Sequence, residues 1–275
     1  MKRKTSPPKS VLDMPMLGLG TWQLQGKECT DVVSEALELG YRHIDTAHIY
    51  QNHKAIGKAI ADYERNALFL TSKLPVEEID SAHMISSVEK KCDAALKELG
   101  TDYLDLYLIH WPHSPELLPK VFDAMERLVE KGKVLNAGVS NFTIHHLEDL
   151  RKEKLHPMAN QVEFHPYLNQ EELLDYCASH GIRLIAYRPL GKKKLLDYPL
   201  FKQIGARYEK SAAQVLLRWL IQKNIPVIPK ASTKNHLLEN RDIFDFSLST
   251  EELRQLDGLN QNRRFCGEGD PVFDY

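Results

Sequence analysis

The stretch YRHIDTAHIY, residues 41–50, joins a short β-rich run to an acid and a phenol. Its first four residues read as a strand, and Asp45 and Tyr50 then project together where that strand ends. Three further strand-like runs finish in polar groups of complementary type: LFLTSK at Lys73, LDLYLIH at His110, and VLNAGVSN at Ser140 and Asn141. A carboxylate, an amine, a phenol and an imidazole delivered by strand ends make a proton-transfer set.

Outward from this stretch, short β-rich runs alternate with longer segments of helical period. YRHID, LFLTSK, LDLYLIH, VLNAGVS, ANQVEF, RLIAY, PVIPK and DIFDF give eight strand candidates. Between them, TDVVSEALELG, ISSVEKKCDAALKELG, PKVFDAMERLVEKGK, IHHLEDLRKEK, QEELLDYCASHG and SAAQVLLRWLIQKN place apolar residues at i, i+3, i+4 and i+7, the spacing of amphipathic helices. Gly40, Gly100, Gly132 and Gly181 each follow a helical run and precede a strand, the position of a left-handed C-cap. Eight βα units predict a parallel sheet closed into a (β/α)8 TIM barrel, with the strand-end residues gathered on one rim. A doubly wound sheet is the alternative, but no G-x-G-x-x-G follows a first strand, and in LGLGT the next residue is Trp22 with no helix start. Residues 187–199, YRPLGKKKLLDYP, read as a long loop bordering the site, and the Gly-rich tail from Asn260 as a segment that folds back over a pocket.

The chain has 275 residues, and α/β barrels of about 200–250 residues form one domain, so residues 1–275 are expected to be a single barrel domain with 1–10 as a flexible tail. Lys and Arg total 36 against 38 Asp and Glu, a formal charge of −2 that gives no global reason to bind nucleic acid or an anionic membrane. A small molecule is the expected partner. The basic start MKRKTSPPKS is followed by Asp13 and Pro15 where a signal peptide needs an apolar run, and no run of about 18 apolar residues occurs. The four cysteines, Cys29, Cys92, Cys177 and Cys266, are scattered and read as small packing residues, which fits a reducing cytoplasm.

Each candidate has an ordinary structural use: Asp45 as a turn former, Tyr50 as a half-buried aromatic, Lys73 as a solvated lysine, His110 as a ring packed beside Trp111. Their joint occurrence on successive strand ends favours chemistry. An ammonium at Lys73 favours phenolate at Tyr50 and so lowers the phenol's pKa, while Asp45 keeps the lysine charged. His110 is then free to donate to a substrate oxygen. Such a set suits protonation of an oxygen while a hydride donor adds to carbon. Trp22 and Trp111 are expected to exclude water and grip an apolar substrate.

The segments MPMLGLGTW, GYRHIDTAHIYQN, LTSKL, DLYLIHWP, GKVLNAGVSNF, NQVEFHPYL, IAYRPLG and VIPKAS, in this order and spacing, resemble the aldo/keto reductase family, and in particular its short bacterial diketogluconate-reductase-like members. The resemblance implies a barrel with a short N-terminal hairpin and a C-terminal tail near the active face, and NADPH-dependent carbonyl reduction, with NADH as second cofactor. It implies Asp45, Tyr50, Lys73 and His110 as the catalytic tetrad, with Tyr50 the general acid, and a monomer acting on a small carbonyl compound. Ser140, Asn141 and Gln161 would hold the carboxamide and Tyr187 would stack on the nicotinamide. Thr21 would lie at its ribose, and Leu190 and Gly191 near the pyrophosphate. Trp22, Tyr50, His110 and Trp111 would face substrate.

Departures from the family pattern fall at the adenosine end. Lys230, Ala231, His236, Glu239 and Asn240 stand where a common form has Lys, Ser, Arg, Glu and Asn, so a hydroxyl is lost and a fixed cation becomes a titratable imidazole. Ser232 and Lys234 offer partial compensation, which predicts an NADPH preference of reduced margin. Arg188 replaces a serine beside the pyrophosphate, as an added phosphate contact or a surface ion pair. His53 replaces a glutamate and is expected to be neutral in effect, at a helix start capped by Asn52.

Two rival readings remain at this level. HIDTAH, HWPH and HPY suggest a metal-dependent barrel hydrolase, although an H-x-H after a first strand is missing and Pro112 breaks helical pairing of His110 with His113. A cofactor-binding sensor without turnover is the other, opposed by the intact tetrad.

Overall fold

The computed structural model describes residues 12–112 and 116–274. Seven parallel strands, each paired with the next, run β1 (Leu19–Gly20), β2 (His43–Asp45), β3 (Phe69–Leu74), β4 (Leu106–Ile109), β5 (Ala137–Ser140), β6 (Ala159–Glu163) and β7 (Arg183–Tyr187). Around them lie α1 (Gly26–Glu38), α2 (His53–Ile60), α3 (Met84–Leu99), α4 (Leu118–Glu130), α5 (Ile144–Lys152), α6 (Glu171–Ser179), α7 (Lys193–Leu196), α8 (Pro199–Tyr208), α9 (Ala212–Gln222), α10 (Lys234–Arg241) and α11 (Thr250–Asp257). The four glycines expected as C-caps all take positive φ: Gly40 (91°), Gly100 (67°), Gly132 (72°) and Gly181 (71°).

The ring closes through residues 226–230. Ala186 N donates to Pro226 O at 2.8 Å and Ile228 N to Ala186 O at 3.2 Å on one side; on the other, Gly18 N donates to Val227 O at 2.9 Å and Gly20 N to Pro229 O at 3.1 Å. PVIPK is therefore the eighth stave, interrupted as a regular strand because Pro226 and Pro229 have no N–H to give. The expected strand DIFDF is corrected: residues 242–246 are irregular chain after α10, with Ile243 buried as a lone anchor and Phe244 exposed. Its place in the ring belongs to LGLG. There a Cβ on Gly20 would come within 2.6 Å of Ile228 O, so the seam needs glycine for close approach.

Alternation on the strands separates two cores. Leu106 and Leu108 of β4 join Ala159, Ile185 and Ile228 inside the barrel, where Leu12 and Met14 plug the base. Tyr107 and Ile109 face the helix layer instead. The expected N-terminal hairpin would begin in residues 1–11, which, like the expected tail 1–10 and His113, lie outside the described residues. The loop expected over 187–199 contains α7 and the start of α8.

Candidate active site

The rim formed by the strand ends opens into a cavity of about 320 Å³. Asp45 ends β2, Lys73 lies in β3, His110 follows β4, Ser140 ends β5, Gln161 lies in β6 and Tyr187 ends β7. Tyr50 arrives from the connection after β2, on a single 3-10 turn (His48–Tyr50).

Lys73 is almost fully buried, and its Nζ donates to Asp45 Oδ1 at 2.5 Å and to Thr46 O at 3.0 Å. Burial disfavours the ammonium, but Asp45 and Tyr50 outweigh it and raise the lysine above its ordinary range. The other Asp45 oxygen accepts from Gln161 Nε2 at 2.6 Å. Burial pushes the Asp45 carboxyl up, opposed by Lys73 and by the Gln161 amide. In front of this pair, the Tyr50 ring centre lies 5.1 Å from Lys73 Nζ, and the His110 ring meets Tyr50 edge-on at 5.8 Å.

The expected direction for Tyr50 is corrected. Burial raises the phenol above the ordinary tyrosine range; Lys73 works the other way, as expected, but does not prevail. The consequence is a protonated phenol near neutral pH.

A polar floor adjoins this cluster. Asn141, at φ 67°, accepts from Tyr187 Oη at 2.7 Å through Oδ1, and its Nδ2 donates to His110 O at 3.0 Å; Ser140 Oγ donates to Gln161 O at 2.8 Å. Thr21 Oγ1 donates to Asp45 O at 2.9 Å. Thr21, Trp22, Trp111, Arg188, Leu190, Gly191 and Lys230 also line the cavity. Trp22 is 43% exposed, with the Arg188 guanidinium 5.0 Å from its ring centre. Arg188 makes no ion pair among the described residues, so the surface-pair reading of this position is not what the structure presents.

The remaining expected cofactor residues are not gathered at the cavity. Ala231 is buried behind it, Ser232, Lys234 and His236 are exposed at the start of α10, and Asn240 is buried. Glu239 lines a separate groove with Pro15 and Arg42. Asn52 occupies the N-cap position of α2 without capping it: Oδ1 accepts from Thr46 Oγ1 at 2.6 Å, and Nδ2 donates to Thr21 O and Leu24 O. His53, at the start of α2, is buried with its Nε2 2.9 Å from Ser72 Oγ.

Sequence reasoning missed several lining residues: Gln23, Pro189, Ile228, Pro229 and Cys266. The ends of LGLGT, RLIAY and PVIPK signal the first four, because strand-end neighbours share the rim. Cys266 is brought by the tail, which folds back as expected. Glu163, fully buried, accepts from Phe265 N at 3.1 Å and Cys266 N at 2.9 Å and shares a 3.1 Å hydrogen bond with His165. Among the described residues no group of three or more His, Cys, Asp or Glu converges to hold a metal, and no helix is long and apolar enough to cross a membrane.

A family model described as aldo/keto reductase family matches residues 16–261. The chain belongs to the aldo/keto reductase family. It is 44% identical over 257 residues to glyoxal reductase of Bacillus subtilis (strain 168), covering 92% of this chain and 91% of that protein. To the uncharacterized oxidoreductase YtbE of the same organism it is 41% identical over 272 residues, covering 96% and 95%. Among solved structures, an aldo/keto reductase from Brucella melitensis superposes with a TM-score of 0.85 at 44% identity, covering 90% of this chain and 95% of that one. Membership makes the protein an oxidoreductase that uses a nicotinamide cofactor to reduce carbonyl compounds.

Proposed function

We propose that this aldo/keto reductase reduces small aldehydes or dicarbonyls with NADPH, with Tyr50 as the general acid. The supporting observation is the buried Asp45–Lys73 pair at 2.5 Å behind a phenol that stays protonated and lines the cavity.

The donor set suits a nicotinamide dinucleotide. Amide and hydroxyl groups of Ser140, Asn141 and Gln161 cluster beside Asp45, matching a neutral carboxamide. Across the cavity stand two cations, Arg188 and Lys230, matching phosphates. Tyr187 would cover the nicotinamide ring, Thr21 would meet its ribose, and Leu190 and Gly191 would border the pyrophosphate. Lys234 and His236 would reach a 2′-phosphate from the exposed start of α10.

The bound cofactor supplies a hydride to the carbonyl carbon. Tyr50 holds a proton on Oη and passes it to the carbonyl oxygen as negative charge builds there. Lys73 stabilises the phenolate left behind, and Asp45 keeps Lys73 charged and oriented through that step. His110, beside Tyr50, orients the carbonyl oxygen. Trp22 and Trp111 shield the site from water. The reading takes residues 1–275 as one domain working as a monomer.

The test is absorbance decay of NADPH and of NADH with a carbonyl panel that includes glyoxal. Tyr50→Phe is expected to lower kcat about a hundredfold or more while leaving cofactor Kd within about twofold. Turnover retained in Tyr50→Phe, or absent from the unaltered protein with every carbonyl, would overturn the reading.

A further inference from the structure

Behind the catalytic groups, on the helix side of the barrel wall, lies a second layer of polar side chains with no part in the proton transfer. His48 Nε2 shares a 3.0 Å hydrogen bond with the hydroxyl of Tyr107, a fully buried residue of β4. The His48 ring also meets the His53 ring edge-on, centre to centre 5.1 Å. His53 Nε2 in turn lies 2.9 Å from Ser72 Oγ, while its Nδ1 is 3.6 Å from Glu98 Oε2 on α3.

Three members of this layer are close chain neighbours of catalytic candidates. His48 precedes Tyr50 by two residues on the same 3-10 turn, Ser72 precedes Lys73, and Tyr107 lies three before His110. The layer therefore ties together the three segments that carry the phenol, the ammonium and the imidazole. The turn is one turn long, closed by Tyr50 N donating to Ala47 O and Gln51 N to His48 O, and ends at Gln51 with φ 54°; Gln25 Nε2 donating to Tyr50 O at 2.6 Å and the Thr46–Asn52 hydrogen bond hold its backbone ends, while His48 is the side chain within it that reaches the barrel wall. The neighbouring Ile49 is 46% exposed and anchors nothing.

We propose that His48 is a positioning residue for Tyr50: held between Tyr107 and His53, its ring fixes the turn on which the phenol rides and so sets the phenol against Lys73 and His110. The inference rests on the reading of Tyr50 as proton donor. Burial pushes both histidines down to about 4, so both rings are neutral near neutral pH, with Glu78, Lys91 and Glu98 facing His48 and Lys73 facing His53. Neutral rings can pack edge-on at this distance, whereas a charged pair would repel.

The test compares Tyr107→Phe, His48→Ala and His48→Gln, the last presenting an amide to the Tyr107 hydroxyl. Expected in Tyr107→Phe and His48→Ala are a kcat about tenfold lower or more, cofactor Kd within about twofold, and a larger solvent deuterium isotope effect on kcat. His48→Gln should recover most of the rate and return the isotope effect to its unaltered value. If His48→Ala does not fold, Tyr107→Phe, which removes one oxygen, carries the test. Unchanged kcat and isotope effect in a protein whose Tyr50→Phe variant is inactive would overturn the positioning role alone. Loss of kcat together with cofactor affinity, with no recovery in His48→Gln, would also overturn it, by making the layer merely structural. Full turnover in Tyr50→Phe would instead strike at the proton-donor reading.

Discussion

At the scale of single residues, the adenosine end and the catalytic end differ in how tightly the fold fixes them. Lys73 has its donors committed to Asp45 and Thr46 in a buried site, so its role depends on geometry the chain cannot easily relax. His236 is exposed, near the start of α10; its backbone N–H donates to Thr233 Oγ1 at 3.3 Å, and its side chain makes no hydrogen bond or ion pair among the described residues. Arginine there should reach a phosphate without disturbing packing: His236→Arg is expected to raise the NADPH over NADH ratio of kcat/KM about tenfold, read from initial rates with each cofactor. An unchanged ratio would place the 2′-phosphate elsewhere. The catalytic four are legible in the sequence because each closes a strand-like run, and a barrel carries such ends to one rim. Tyr50's raised pKa is not, because it follows from burial in the assembled rim, where segments distant in sequence meet.

At the scale of elements, the tail from Asn260 is held by a side chain of β6. Glu163 receives two backbone N–H groups across a separation of 102 and 103 residues, inside a site where it and His165 have no exposure. Removing that acceptor leaves two partly buried donors unmet, at up to about 1–3 kcal/mol each. Glu163→Ala should therefore loosen the tail, raising carbonyl KM about tenfold with little change in cofactor Kd, and exposing the Arg263–Arg264 bonds to faster tryptic cleavage. Equal cleavage rates would show that other contacts hold the tail. Elements with a strong local pattern, such as LDLYLIH and the α9 run, are readable directly; α9 also carries the Ser211–Gln214 capping box at its start. LGLG is not, since its glycines serve an approach between distant segments and weaken any local strand signal. DIFDF misleads for the converse reason: its strand-like composition carries no pairing, with Ile243 buried, Phe246 half-buried and Phe244 exposed on irregular chain.

At the scale of the whole molecule, buried histidines make stability depend on pH. Burial lowers His43 to about 3 and His53 to about 4, against about 6.5 in an unfolded chain. Between those values the unfolded chain binds protons that the folded one refuses, so unfolding becomes easier as pH falls from about 6.5 to about 4. Tm should decline across that window, and His53→Gln should make the decline shallower; a flat Tm would contradict the assigned burial. The eighth stave adds a second global property. With prolines at 226 and 229 it contributes few amides to the ring, and the walls on either side meet it through isolated bonds rather than ladders. Native-state hydrogen exchange should find the amides of Gly18, Gly20 and Ala186 trading for deuterium sooner than those of Leu108 or Val162. The cylinder is thus stitched most thinly between its first and seventh walls, beneath the trough assigned to the dinucleotide. A molecule lying there would act as a staple, slowing that exchange as it fills the cleft.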